Sequence, residues 1–486
     1  MPKKKKAVKT KKVVGAAKPR PPFDGNFKKL VIVESPAKAK TIGAMLGSDF
    51  IVESSIGHIR DLPKSKLGVD VDNGYSALYV VDADKKTKVA ELKKKLADAD
   101  ELFLATDEDR EGEAIAWHLL EVLKPQVPVR RMVFHEITKD AIRRAVDETR
   151  DLDTSLVDAQ ETRRILDRLY RYEVSPVLWK KVMTGLSAGR VQSVATRLVV
   201  ERERERIAFR AASYWDIEGL FDPGSFTATL IAVDGARVAT GKDFSQQGEL
   251  VREGAAHLSE ASATSLAEGL SGATFTVRSV EDKPYRRSPA APFMTSTLQQ
   301  EASRKLRWGA QRTMRVAQGL YERGFITYMR TDGVDITPEA LPGIRDVIGK
   351  EFGRDYVPNA PRVYQNKSKN AQEAHEAVRP TDVSRLPKDL KRSLDADQAK
   401  LYELIWIRTL ASQMESAELE RTTVEITADV SAPSQIRKID LRATGQVVRF
   451  DGFLAVYQES RDDEEDEDEG RLPPMAQGEP LTRDRI

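Results

Sequence analysis

After a polar opening stretch the chain reaches an unbroken apolar run, Leu30-Val31-Ile32-Val33, of the kind a strand buried on both faces requires. Ser35-Pro36 then supplies an N-cap and a first-turn proline, predicting a helix to about Leu46 that Gly47 ends. Further strands are predicted at 51–55, 78–82, 101–105 and 131–135, and amphipathic helices at 86–97, 113–123 and 138–148. Short apolar strands alternating with helices imply a mostly parallel sheet covered on both faces, so 28–150 reads as one α/β domain. Residues 151–212 read as helical, with a second helix beginning after Gly189. Stretches such as Phe226-Thr-Ala-Thr-Leu-Ile and Thr274-Phe-Thr-Val predict strands within 213–285, and strand pattern returns at 422–430 and 436–457. Between them, 294–325 reads as two helices joined near Trp308-Gly309, the first opened by a capping box of Ser296 and Gln299. Helices are predicted again at 338–352 and 395–416. The fold class expected is multidomain, α/β followed by helical and β-rich parts. The block 286–405 is read as an insertion into a β-rich domain made of 213–285 and 406–460.

Length adds that 486 residues allow two to four domains at about 100–200 residues each. Net charge adds little, since 78 Lys and Arg face 76 Asp and Glu, but the placement of charge is informative. Residues 1–20 carry eight Lys and one Arg with no acid, and Asp462 to Glu469 is an unbroken run of eight acids. Such blocks repel themselves, which predicts a disordered basic tail over 1–27 and an acidic linker in 461–486. The absence of cysteine excludes disulfides, a thiol nucleophile and every Cys-ligated metal site. No apolar run approaches the ~18 residues that span a bilayer, and the basic N-terminus lacks the apolar stretch of a secretory signal. The expectation is a cytoplasmic protein with no membrane partner.

Candidate chemistry gathers at two strand ends. Glu34 follows the run 30–33, and Asp107, Asp109 and Glu111 follow Leu102-Phe-Leu-Ala. In a parallel sheet all carboxyl ends share one edge, where ligands bind. Four carboxylates converging there repel one another unless a hard cation neutralises them, and oxygen-only ligation suits Mg²⁺. An acidic helix start favoured by the helix dipole accounts for Glu111 and Glu113 alone, but not for the whole set. Lys38 lies one turn beyond Glu34, opposing that dipole, so it is either a ligand for an anion such as phosphate or a solvated lysine. No Gly-x-x-x-x-Gly-Lys-Ser/Thr loop occurs, so phosphate chemistry here runs without a P-loop. In 160–171 the residues Arg163, Arg164, Arg168 and Arg171 interleave with Tyr170 and Tyr172, a surface suited to a single nucleic-acid strand. Tyr328, two residues before Arg330, has the spacing of a phosphoryl-accepting nucleophile beside a guanidinium, yet with twelve tyrosines its position alone favours a packed side chain. His375, in Ala374-His-Glu-Ala-Val-Arg-Pro, reads equally as a helical surface histidine.

Taken together, these motifs resemble a known family. Val33-Glu-Ser-Pro-Ala-Lys-Ala-Lys-Thr and Asp107-x-Asp-Arg-Glu-Gly-Glu are similar to the Toprim metal site. Leu186-Ser-Ala-Gly-Arg-Val-Gln-Ser-Val-Ala, Ile326-Thr-Tyr-Met-Arg-Thr-Asp and the His375 motif are similar to bacterial type IA DNA topoisomerases, in the family's order from about 28 to 460. The resemblance implies a Toprim domain at 28–150, a first part of a helical strand-binding domain at 151–212, a β-rich arch at 213–285 and 406–460, and a nucleophile-bearing helical domain at 286–405, in a toroidal architecture. It implies that Tyr328 attacks a single-stranded phosphodiester to form a 5′-phosphotyrosine link, relaxing negatively supercoiled DNA without ATP. Under it Arg330 steadies the scissile phosphate and Lys38 protonates or orients the leaving 3′-oxygen, with Glu34 beside that oxygen. Asp107, Asp109 and Glu111 hold Mg²⁺, Glu34 either shares the metal or relays a proton, and His375 supports the phosphate pocket. Arg163, Arg164, Asp167, Ser187, Arg190 and Gln192 match the region that binds the strand, and the chain is expected to act as a monomer. Family members continue through a Gly-Arg-Pro-Ser-Thr-Tyr segment to further C-terminal domains, and this chain contains neither. The expectation is therefore a truncated product with an incomplete arch, retaining strand binding and cleavage more readily than full relaxation. Two other classes stay open: a Toprim nuclease or primase, and a catalytically silent DNA-binding fragment.

Overall fold

The computed structural model of the protein describes residues 28–365, 376–457 and 470–485. These fall into two compact units, one drawn from the chain up to Gln192 with Pro292–Gly343 and Val363–Thr409, the other from Ser193–Ala291, Ile344–Arg362 and Leu410–Ile486. Among the described residues no helix is long and apolar enough to cross a membrane.

The first unit is built on a four-stranded, wholly parallel sheet of β1 (Lys29–Val33), β2 (Phe50–Ser54), β3 (Glu101–Leu104) and β4 (Val129–Arg131), in the order β2-β1-β3-β4. Leu30, Val31, Ile32 and Val33 are all fully buried, as the unbroken apolar run requires. The order reverses between β1 and β3, so their carboxyl ends flank the crevice in which doubly wound sheets bind ligands. Helices α1 (Pro36–Gly43), α2 (Lys86–Ala97), α3 (Arg110–Leu123), α4 (Lys139–Asp147) and α5 (Thr154–Lys181) follow in chain order. Leu92 of α2 and Ile115, Ala116 and Leu119 of α3 meet Leu30, Ile32 and Leu102 of the sheet in one core.

Several elements differ from the sequence reading. The strand expected at 78–82 is reduced to Val80–Val81, paired antiparallel with Arg60–Asp61 outside the main sheet, and Leu78 is exposed rather than buried. The strand expected at 131–135 ends at Arg131, and beyond it the carbonyl of His135 accepts a hydrogen bond from the backbone N–H of Tyr328 at 2.9 Å. Helix α3 starts three residues early because Asp109 caps it, accepting from the N–H of Gly112 at 2.7 Å. The Ser296–Gln299 capping box does not form. That helix spans Thr295–Leu306, and Thr295 instead donates its hydroxyl to the carbonyls of Met329 and Thr331 at 2.8 and 2.9 Å.

The second unit is an antiparallel sheet of seven strands that closes on itself, since Glu218–Asp222 pairs with both Phe226–Val233 and Pro480–Arg485. Its longest members, Phe275–Arg287, Ala417–Asp429 and Lys438–Phe450, place Phe275, Val277, Val424, Ile426, Ile439 and Leu441 in one core. Closure removes the open edges that invite aggregation. The strand at 480–485 has no counterpart in the sequence reading, which took this stretch for linker.

Candidate active site

The turn after β3 is held by a buried arginine. Arg131 donates to the carbonyls of Thr106 and Asp107 at 2.8 Å each and pairs with Glu113, itself fully buried. The turn also closes tightly on α3, because a Cβ added at Gly112 would lie 2.0 Å from the carbonyl oxygen of Asp107. Alanine normally stabilises a helix interior by ~1 kcal/mol over glycine. Here the sign is expected to reverse, Gly112→Ala losing about 1–3 kcal/mol in urea unfolding. A variant as stable as the parent would show that the turn yields.

Side by side at the two strand ends stand Glu34 and Asp107, with the Nζ of Lys38 ion-paired to both. Lys38 is completely buried, so the solvated alternative is excluded. The N-cap Ser35 starts its helix as expected, accepting from the Lys38 N–H at 3.2 Å. Burial alone would strip the ammonium of its charge; the Asp107 and Glu34 carboxylates more than offset this and raise its pKa. The two acids part company. Burial, and then the charge of Asp107, push Glu34 up to about 8, whereas Lys38 and hydrogen bonds hold Asp107 below the usual range despite its own burial. Glu34 therefore keeps a proton between pH ~4.5 and ~8 that the unfolded chain has lost, and the folded state loses stability as pH rises through that window. In metal-free protein the slope is expected to be at most ~1.4 kcal/mol per pH unit and to flatten in Glu34→Gln. An equal slope in the variant would exclude Glu34 as its source.

Opposite this group lies Tyr328, nearly buried, its hydroxyl donating to Asp109 Oδ2 at 2.5 Å. Burial, then Asp107 and Asp109, raise its pKa, and Arg330 works the other way. Arg330 is half exposed, with Nη1 3.9 Å from Asp109 Oδ2. Asp109 thus joins the tyrosine to the strand-end acids. Glu111 points to His58, Nε2 to Oε2 2.8 Å, and that contact holds its carboxyl below the usual range. His375 lies outside the described residues.

The donor set can be tested for Mg²⁺. It is oxygen-only, and both Glu34 carboxylate oxygens are buried without a well-directed hydrogen bond, which fits a hard cation. Among the described residues, however, no three His, Asp or Glu side chains are grouped to hold a metal. The four acids are turned to different partners: Glu34 and Asp107 to Lys38, Asp109 to Tyr328 and the Gly112 N–H, and Glu111 to His58.

Most of the expected strand-binding residues have partners within the protein. Arg164 is bound to Asp61, Nε to Oδ1 2.8 Å, and Arg168 to the carbonyl of Pro63 at 2.8 Å, so both fasten the 61–66 loop to α5. Arg190 reaches Asp167 at 3.2 Å, and Ser187 donates to Gln192 at 3.3 Å. Arg163 lies near enough to Glu111 to help lower its pKa. Three residues escaped the sequence reading: Tyr321, which donates its hydroxyl to Asp107 at 2.9 Å, His58, and Arg131.

A family model described as DNA topoisomerase matches residues 151–486, and one described as Toprim domain matches 29–137. DNA topoisomerase 1 of Streptomyces coelicolor is 58% identical over 485 residues, covering 94% of this chain and 50% of that protein. The Mycobacterium tuberculosis protein of the same name is 53% identical, covering 94% of this chain and 52% of the relative. The structure of full-length topoisomerase I from Thermotoga maritima superposes with a TM-score of 0.77 at 37% identity, covering 93% of this chain and 70% of that one. The chain spans about half the length of the curated relatives it matches. With one model covering more than half of it and the Toprim model preceding that match, the chain belongs to the bacterial type I DNA topoisomerase family.

Proposed function

We propose that this chain cuts one strand of DNA by transesterification, as the ATP-independent topoisomerases do. The Tyr328 oxygen attacks a backbone phosphorus, the bond from phosphorus to the 3′-oxygen breaks, and a 5′-phosphotyrosine link and a 3′-hydroxyl result. The observation that carries the reading is the Tyr328 hydroxyl hydrogen-bonded to a strand-end acid, next to a buried charged lysine. Asp109 already accepts the Tyr328 proton in a hydrogen bond and is the base at hand. Arg330, half exposed, offers the scissile phosphate a planar donor pair. Lys38 and protonated Glu34 are the proton sources for the departing 3′-oxygen, and religation reverses these transfers. His375 is assigned to the phosphate pocket by resemblance alone.

The resemblance alone assigns Mg²⁺ to Asp107, Asp109 and Glu111, with Glu34 sharing, since the described side chains are not grouped to hold it; when bound it would supply positive charge against the phosphate. Arg163, Arg164, Asp167, Ser187, Arg190 and Gln192 are assigned to the strand beside the cut. The phosphotyrosine link conserves the phosphodiester's energy, so resealing needs no nucleotide and stored supercoiling drives strand passage. Single-stranded and negatively supercoiled DNA are the proposed substrates, met in the cytoplasm at the nucleoid by a monomer.

The test uses a 3′-end-labelled single-stranded oligonucleotide with Mg²⁺, stopped with SDS. Label is expected to migrate with the protein on a denaturing gel, and a 5′-labelled strand to yield a shorter free fragment. DNA that binds but gives neither product overturns the reading.

A further inference from the structure

Resting on that reading, we propose that Tyr321 is a positioning residue for strand cleavage, holding Asp107, Lys38 and Tyr328 in one arrangement. It lies in the last turn of the helix Ala310–Glu322 and is fully buried. Three contacts leave it toward three different groups of the site. Its hydroxyl donates to Asp107 Oδ1 at 2.9 Å, the oxygen that also takes Lys38. Its ring face lies 4.9 Å from the Lys38 ammonium, within cation–π range. Its ring also meets that of Tyr328 at a centroid distance of 5.2 Å and an angle of 64°.

A side chain needed only to fill this space would be phenylalanine, since a buried hydroxyl costs free energy unless it is hydrogen-bonded. Here the hydroxyl is satisfied by a carboxylate of the site. With the donor in place Asp107 cannot turn away from Lys38, and Lys38 cannot leave the roof the ring forms. Tyr321 meets the reaction only through these partners.

Tyr321→Phe keeps the ring and removes one oxygen. In single-turnover cleavage of the labelled oligonucleotide it is expected to lower the saturated rate about ten- to hundredfold, with half-saturation unchanged within about twofold. On an Asp107→Asn background the same change is expected to cost less than about threefold, because the bond it removes is already altered. A Tyr321→Phe chain cleaving like the parent overturns the proposal. So does an equal loss in both backgrounds, or a variant that does not fold, since each makes the residue merely structural. A parent with no Tyr328-dependent adduct overturns the cleavage reading itself, and the proposal with it. The two failures are told apart by whether the parent cleaves.

Discussion

Tyr328→Phe is expected to lower adduct formation by more than ~10³-fold while the chain stays folded and binds DNA as before. The substitution removes the only atom of that side chain that can form the phosphotyrosine bond. It keeps the ring, and with it the edge contact to Tyr321. What the fold loses is the hydrogen bond to Asp109, whose other oxygen remains on the Gly112 N–H with Arg330 nearby. That loss costs ~1 kcal/mol, too little to unfold the chain. Cleavage and stability are therefore expected to separate, and urea unfolding alongside the gel assay measures both. If label still followed the protein, another nucleophile would be at work, and the role given to Tyr328 would be wrong.

How far the site was legible in the sequence depends on how local each signal is. The apolar run 30–33, the Ser35-Pro36 helix start and the acids after 102–105 are encoded within a few residues, and each stands where its pattern put it. What could not be read is long-range. Lys38 looked as much like a surface lysine as a ligand, because its partner Asp107 lies 69 residues away. Tyr321 gave no signal, since its partner is 214 residues away and its helix reads as ordinary. The bond from Arg164 to Asp61, 103 residues upstream, is of the same kind. Tyr328 and His375 could be singled out only by the motifs around them, not by spacing or composition. Strand 480–485 is short and polar, and only closure of the sheet gives it a partner.

Lys38→Met is expected to cost ~3–5 kcal/mol of stability, the penalty for stranding a buried charge. Methionine fills much the same volume, so the loss is electrostatic: Asp107 would keep its charge with the Tyr321 hydroxyl and the Glu34 carboxyl, but no cation, to answer it. The site has one escape, which is to take up a proton on Asp107. Its pKa, now held low by Lys38, would then rise above the unfolded value, and a group so raised loses its stabilising effect as pH increases. The deficit of Lys38→Met is accordingly expected to widen from pH 6 to pH 9. Adding Asp107→Asn removes both the stranded charge and the pH dependence, and the double variant is expected to recover most of the lost stability while remaining unable to cleave. A double variant as unstable as Lys38→Met would mean that the lysine stem packs rather than neutralises. Recovery would mean that the Lys38–Asp107 pair gives the fold nothing a neutral pair could not, so that the need for a charged group beside Tyr328 is what keeps it buried there.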